Sequence, residues 1–204
     1  MTKHTFSFLA LGDSYTIGEA VPLYESFPYQ TIQLLRKASL HFHAPEIIAQ
    51  TGWTTFELAE HILHTKLNEH YDFVTLLIGV NNQYRELSID DYANDFEFLL
   101  RKAIHLAGEK KENVIVLSIP DWGVTPFAKK RDTKKIASEI DAYNKVNKTI
   151  TERYKVKYLD ITANTRAAKD NALLVTSDGL HPSGKAYAEW AAMLASIIQK
   201  SLKS

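Results

Sequence analysis

The stretch 72-DFVTLLIGVNNQY-84 runs from a short apolar segment directly into a glycine and then a polar loop. Residues 72–78 have the length and the β-branched and aromatic content of a buried strand, and Gly79 ends it. The same kind of segment recurs at 5–11 (TFSFLAL), 45–50 (PEIIAQ), 113–118 (NVIVLS) and 156–160 (VKYLD). Amphipathic stretches separate these five segments. Strand and helix patterns in alternation predict an α/β chain with a five-stranded parallel sheet covered by helices on both faces.

The helices are marked by their starts. Ser26 and Pro28 open one that runs to about 39, and Thr54 or Thr55 opens a second with Phe56, Ala59, Leu63 and Leu67 on its inner face. Ser88 and Asp91 have capping-box spacing ahead of Ile89, Tyr92, Phe96, Leu99, Leu100 and Ala103, and Gly108 supplies the stop. Asp132 caps a helix that buries Ile136, Ile140, Tyr143, Ile150 and Tyr154. The last helix starts near 183 and turns Ala186, Tyr187, Trp190, Leu194 and Ile197 or Ile198 inward. Neither repeats nor low-complexity segments interrupt this order.

A chain of 204 residues with 45% hydrophobic content fits one domain over 1–204 with a substantial core. Its 24 basic and 24 acidic residues cancel, so no net field recruits nucleic acid or an anionic membrane. The cluster 129-KKRDTKK-135 leads into a helix and reads as a solvated face. With no cysteine, thiolate nucleophiles, disulfides and thiolate metal sites are all excluded. The N-terminal apolar run enters Gly-Asp-Ser without a small-residue cleavage site, and no run has the length of a membrane span. A cytoplasmic location is the default expectation, with a removed leader as the alternative; membrane insertion is not expected, and the oligomeric state is left open.

Gly12, Gly52, Gly79 and Gly123 each follow a predicted strand by one to five residues, and Gly179 lies in the final loop. The carboxyl edge of an open parallel sheet is where ligands bind, so loops far apart in sequence converge there. Four of them read GDSY (12–15), QTGWTT (50–55), GVNNQY (79–84) and DGLHP (178–182). Acyl transfer through a serine needs a nucleophile, a base, a carboxylate that orients the base, and donors for the developing oxyanion. Ser14 supplies the first, His181 the second and Asp178 the third. Gly52 offers an unobstructed backbone N–H and Asn81 a side-chain amide. Each residue alone would be read as a turn or cap residue; the four blocks together change that reading.

In this order the blocks resemble those of the SGNH subgroup of GDSL-type esterases and lipases, and the resemblance spans residues 12–182. It implies a flavodoxin-like three-layer α/β/α sandwich, in agreement with the order of elements. It further implies Ser14 as nucleophile, His181 as general base, Asp178 as its partner, and an oxyanion hole from the Ser14 N–H, the Gly52 N–H and Asn81. The family works without metal or organic cofactor through an acyl-enzyme resolved by water or another alcohol. Two positions depart from its pattern: Tyr15 stands where Leu is usual, and Asn82 where Asp commonly follows the block's Asn.

The expected substrate is a small-molecule carboxylic ester with a small to medium acyl group. Carbohydrate O-deacetylation, or lysophospholipid or thioester hydrolysis, would use the same mechanism, and a non-catalytic binding module with this fold is the reading from another class. No inserted lid segment is visible, which disfavours a lid-gated lipase. Trp53, Tyr84, Trp122 and Phe127 follow strands and are candidates for the pocket wall, with 121-DWGVTPF-127 as the loop that shapes it. The pairs His41/His43 and His61/His64 have metal-compatible spacing without a third ligand and are read as surface or packing residues. His4, His70 and His105 have no such context.

Overall fold

A computed structural model describes residues 4–203 of the chain. In sequence order it contains β1 (Phe8–Asp13), α1 (Ser14–Ile17), α2 (Phe27–Lys37), β2 (Glu46–Gln50), α3 (Thr55–His64), β3 (Phe73–Leu77), α4 (Val80–Tyr84), α5 (Ile89–Leu106), β4 (Val114–Leu117), α6 (Thr133–Arg153), β5 (Lys157–Leu159), α7 (Thr162–Arg166) and α8 (Gly184–Ser201). The strands form one parallel sheet in the order β2-β1-β3-β4-β5, the flavodoxin-like order. The chain runs out from β1 to β2 at one edge and then returns to β3 on the other side of β1. That reversal opens a crevice at the carboxyl ends of β1 and β3.

All residues of β1, β3 and β4 are buried, as parallel strands covered on both faces must be, whereas β2 at the sheet edge is only partly covered. Helices α2 and α8 pack on each other, and α5 packs between α3 and α6, giving the two outer layers. Among the described residues no helix is long and apolar enough to cross a membrane. The cluster 129–135 is exposed throughout, and among the described residues Lys135 is the one of its cations with ion-pair partners, Glu86 and Glu139.

Three expectations need correction. The first strand lies at Phe8–Asp13 rather than 5–11, because Gly12 and Asp13 stay in register with Ala49 and Gln50. A Cβ on Gly12 would collide with Thr16 Oγ1 and the Leu77 carbonyl, so only glycine lets β1 continue this far between its neighbours. The inner face of α3 is Thr55, Leu58, Ala59 and Ile62, while Phe56 and Leu63 are exposed and Leu67 lies beyond the helix end. This helix is apolar on two adjoining faces, so periodicity alone favours neither. At α5, Ser88 Oγ accepts from the Asp91 N–H, but the Asp side chain returns no bond. The reciprocal capping box is formed instead by Thr54 and the longer Glu57, at the start of α3.

Candidate active site

Ser14 is the first residue of α1 and follows β1 without a linker. Its N-cap Asp13 has an extended backbone and accepts from the Tyr15 N–H through Oδ1 at 3.0 Å. Ser14 therefore stands at the sheet's carboxyl edge, and as a first-turn residue its N–H has no intrahelical acceptor. Asp13 itself is fully buried, and its Oδ2 has no hydrogen-bond partner among the described residues. Burial pushes its carboxyl up to about 7, against the opposing bond from Tyr15.

Asp178 and His181 arrive from the loop before α8. That loop is folded on itself: Thr176 N–H donates to His181 O at 2.9 Å, and Val175 and Pro182 form an antiparallel bridge. Ser183 Oγ accepts from the Ala186 N–H to cap α8 and donates to Leu173 O at 2.7 Å. The Asp178 Oδ1 accepts from Thr176 Oγ1 at 2.6 Å, from Leu180 N at 2.8 Å and from His181 N at 3.0 Å. Its Oδ2 accepts from His181 Nδ1 at 2.6 Å. Partial burial would raise this carboxyl, yet the bonds from Thr176, His181 and the two backbone N–H groups hold it well below the ordinary carboxylate range. The ionised Asp178 fixes the proton on Nδ1, so the lone pair of Nε2 faces Ser14 Oγ at 3.0 Å.

The ring of Tyr15 lies 5.0 Å from the imidazole, tilted by 54°, and supplies an aromatic wall at the position where Leu is usual. Burial first, and then the charges of Asp13, Asp178 and Asp121, push its phenol far above its ordinary range, so it stays neutral. Ser14 and His181 are buried, while Asp178 lies at the solvent rim.

The other half of the site is the loop between β2 and α3. Gly52 has φ +84°, a backbone conformation that a side chain would strain. Asn81, in α4, gives one amide hydrogen to Trp53 O at 2.9 Å, which leaves the second for another acceptor. The departure at Asn82 acquires a physical role here. Its Oδ1 accepts from the Thr55 N–H at 3.0 Å, and its Nδ2 donates to Thr55 Oγ1 at 2.8 Å. The Thr55 hydroxyl is thereby turned to donate to Asp95 Oδ2 at 3.1 Å. An Asp at 82 would compete with Asp95 for that same hydroxyl proton.

Ser14, Tyr15, Thr51, Gly52, Val80, Asn81, Tyr84, Trp122, Phe127, Leu180 and His181 enclose a cavity of about 160 Å³. Three of the four expected aromatics line it. Trp122 is buried and donates from Nε1 to Gln83 Oε1 at 2.7 Å, with Tyr84 edge-on at 5.2 Å and Phe127 at 6.0 Å. Trp53 does not line it: its indole lies 4.7 Å from the His61 ring, and only its carbonyl faces Asn81. Periodicity could not foresee this, because Trp53 follows a glycine with φ +84°, outside any regular strand or helix. Sequence reasoning also missed Thr51, Val80 and Leu180 as wall residues, although each adjoins a residue it singled out. His41 and His43 are exposed, and no group of three or more His, Asp or Glu among the described residues is placed to hold a metal.

Comparison with known proteins gives the same picture at family level. The profile of the GDSL-like lipase/acylhydrolase family matches residues 10–189. The secreted effector protein SseJ of Salmonella typhimurium is 33% identical over 90 residues, which cover 44% of this chain and 22% of that protein's length. A lipase/acylhydrolase from Enterococcus faecalis shares the fold at TM-score 0.73 and 21% identity, over 96% of each chain. The acetylxylan esterase Axe2 of Geobacillus stearothermophilus shares it at TM-score 0.71 and 18% identity, over 98% of this chain and 94% of the other.

Proposed function

Because this chain belongs to the GDSL-like lipase/acylhydrolase family, a family of ester hydrolases, we propose that it acts as a single domain that cleaves carboxylic esters through an acyl-enzyme on Ser14. The observation that carries this reading is the unbroken hydrogen-bond run from Asp178 through His181 to Ser14, at 2.6 and 3.0 Å, opening on the cavity. Ser14 Oγ attacks the ester carbonyl carbon as its proton passes to His181 Nε2. The new oxyanion is taken up by the N–H groups of Ser14 and Gly52 and by the free amide hydrogen of Asn81. Collapse breaks the bond to the leaving oxygen, which takes the proton from His181. Water then attacks the acyl-enzyme with His181 again as base and releases the acid. Asp178 stays ionised throughout and stabilises the imidazolium.

The cavity of about 160 Å³ beside Ser14 is smaller than the roughly 300 Å³ at which drug-sized pockets begin and is open to solvent, so the part of the substrate held close to Ser14 is small. The aromatic rim favours a second reading of the leaving side. Tyr84 and Phe127 are exposed beside the buried Trp122, and such faces suit a sugar ring, so O-deacetylation of a carbohydrate fits the same machinery. The test is hydrolysis of p-nitrophenyl acetate and octanoate by the wild type and Ser14→Ala. Acetate turnover above octanoate is expected, with loss of at least about 10⁴-fold in the variant and an unchanged melting temperature. Ester turnover retained by Ser14→Ala would refute the reading.

A further inference from the structure

Residues 51–53 lie between β2 and α3, outside any strand or helix, and are held by side chains from three other places. Thr51 Oγ1 donates to the carboxylate of Glu19, just beyond α1. Trp53 O accepts from Asn81 Nδ2. Between them, Gly52 O accepts from Arg85 Nη2 at 2.5 Å. Arg85 follows α4, and its own N–H donates to Asn81 O at 3.0 Å. The other arm of its guanidinium, Nη1, meets Glu57 Oε1 at 3.2 Å. Glu57 is fixed in turn by its bonds from Thr54 N and Oγ1, at 2.7 and 2.9 Å.

We propose that Arg85 is a positioning residue that sets the distance and angle between the Gly52 N–H and the Asn81 amide. This rests on the oxyanion hole proposed above. A glycine with positive φ and no side chain is a free pivot between two peptide planes; Arg85 holds the plane beyond it through the Gly52 carbonyl and Glu19 holds Thr51 before it, so the torsions that aim the Gly52 N–H are restrained from both sides. Arg85 is suited to the task because one residue joins the helix of Asn81, the loop of Gly52 and the start of α3. The planar fork of a guanidinium can serve two acceptors at set angles, which an ammonium cannot. The simpler view makes Arg85 one half of a surface ion pair with Glu57. Both side chains are more than a third exposed, and such a pair contributes little to stability and nothing to catalysis.

The two views differ in what kinetics should show. An oxyanion donor works only within a few tenths of an ångström of its proper place, so Arg85→Ala should lower kcat by about 10-fold, less than the 10²–10³-fold expected for deleting a donor, and leave KM within about 2-fold. An alkylboronic acid, whose serine adduct is tetrahedral and anionic, should lose affinity by the same factor. Arg85→Lys should fall between wild type and Arg85→Ala, and added guanidinium chloride at millimolar concentration should restore part of kcat to Arg85→Ala. Should Arg85→Ala fail to fold, Arg85→Lys carries the same readings. Wild-type kcat in the variant, a loss confined to KM, or a loss of kcat with unchanged boronate affinity would overturn the proposal. Ser14→Ala and Asn81→Ala are assayed alongside. If Asn81→Ala keeps wild-type kcat, the oxyanion-hole reading itself falls, and if Ser14→Ala stays active so does the mechanism; if both are impaired and Arg85→Ala is not, only the positioning role falls.

Discussion

The turn of the proposed nucleophile and the loop of the proposed Gly52 oxyanion donor sit at the same sheet edge, yet they are built by opposite means. Residues 12–16 carry β1, which has a neighbour on each side, straight into the first turn of α1, are buried to the last atom or nearly so, and are held by backbone register and close packing. Residues 51–53 follow the edge strand, are partly or largely exposed, and take their place from side chains of Glu19, Asn81 and Arg85. Placement of Ser14 is thus a consequence of folding and cannot be altered without touching stability. Placement of the proposed donors at Gly52 and Asn81 should be separable from stability and adjustable one side chain at a time.

The sharpest attack on this contrast is Asn81→Ala. On the proposed mechanism kcat should fall by about 10²–10³, worth about 3–4 kcal/mol in the transition state, with a small effect on KM and an unfolding midpoint near that of the wild type. A protein that unfolds instead would place the oxyanion loop among the structural elements and erase the distinction. Gly12→Ala probes the other region. The added methyl meets Thr16 and the Leu77 carbonyl, and a loss of about 1–3 kcal/mol in urea unfolding is expected, as for other overpacked sites. Unchanged stability would mean that the end of β1 yields more readily than its register implies.

A separate effect, read in pH, concerns Asp13. Its folded-state carboxyl is raised to about 7 from 3.8, so its contribution to stability is full below about pH 4 and is lost as the pH rises through 7. Asp13→Asn has no such titration. Its melting temperature relative to wild type should rise between pH 4 and 8 by about 8–16 °C, since raising a carboxyl from 3.8 to about 7 is worth about 4 kcal/mol and about 1 kcal/mol moves Tm by about 2–4 °C in a chain of this size. Asp178, whose carboxyl is shifted the other way, titrates in both proteins and cancels from the difference. A difference that stays flat with pH would contradict the burial of charge under Ser14.

What the sequence made legible follows the same division. Strands betray themselves by short apolar runs, and glycines at their ends mark the edge, so Ser14, Gly52, Asn81, Asp178 and His181 could be assembled on topology before any coordinate was known. The two faces of α3 could not be separated, because Phe56 and Leu63 are as apolar as Leu58 and Ile62. Capping-box spacing occurs at both α3 and α5, but the reciprocal bond forms at α3, where Glu57 is one methylene longer than Asp91. Arg85 left no signal at all. Its partner Gly52 O lies 33 residues away and is a backbone atom, which no spacing rule encodes. The purpose of Asn82 was equally hidden, since it depends on a hydroxyl whose proton is claimed by Asp95.

The most direct test of the account is to treat the protein with a serine-directed alkyl phosphonate and follow ester turnover and intact mass together, then map the adduct by peptide mass spectrometry. A single adduct on Ser14, formed in step with loss of activity and absent in His181→Ala, is the predicted result. Loss of activity with the adduct elsewhere, or ester turnover that persists after Ser14 is fully modified, would contradict it.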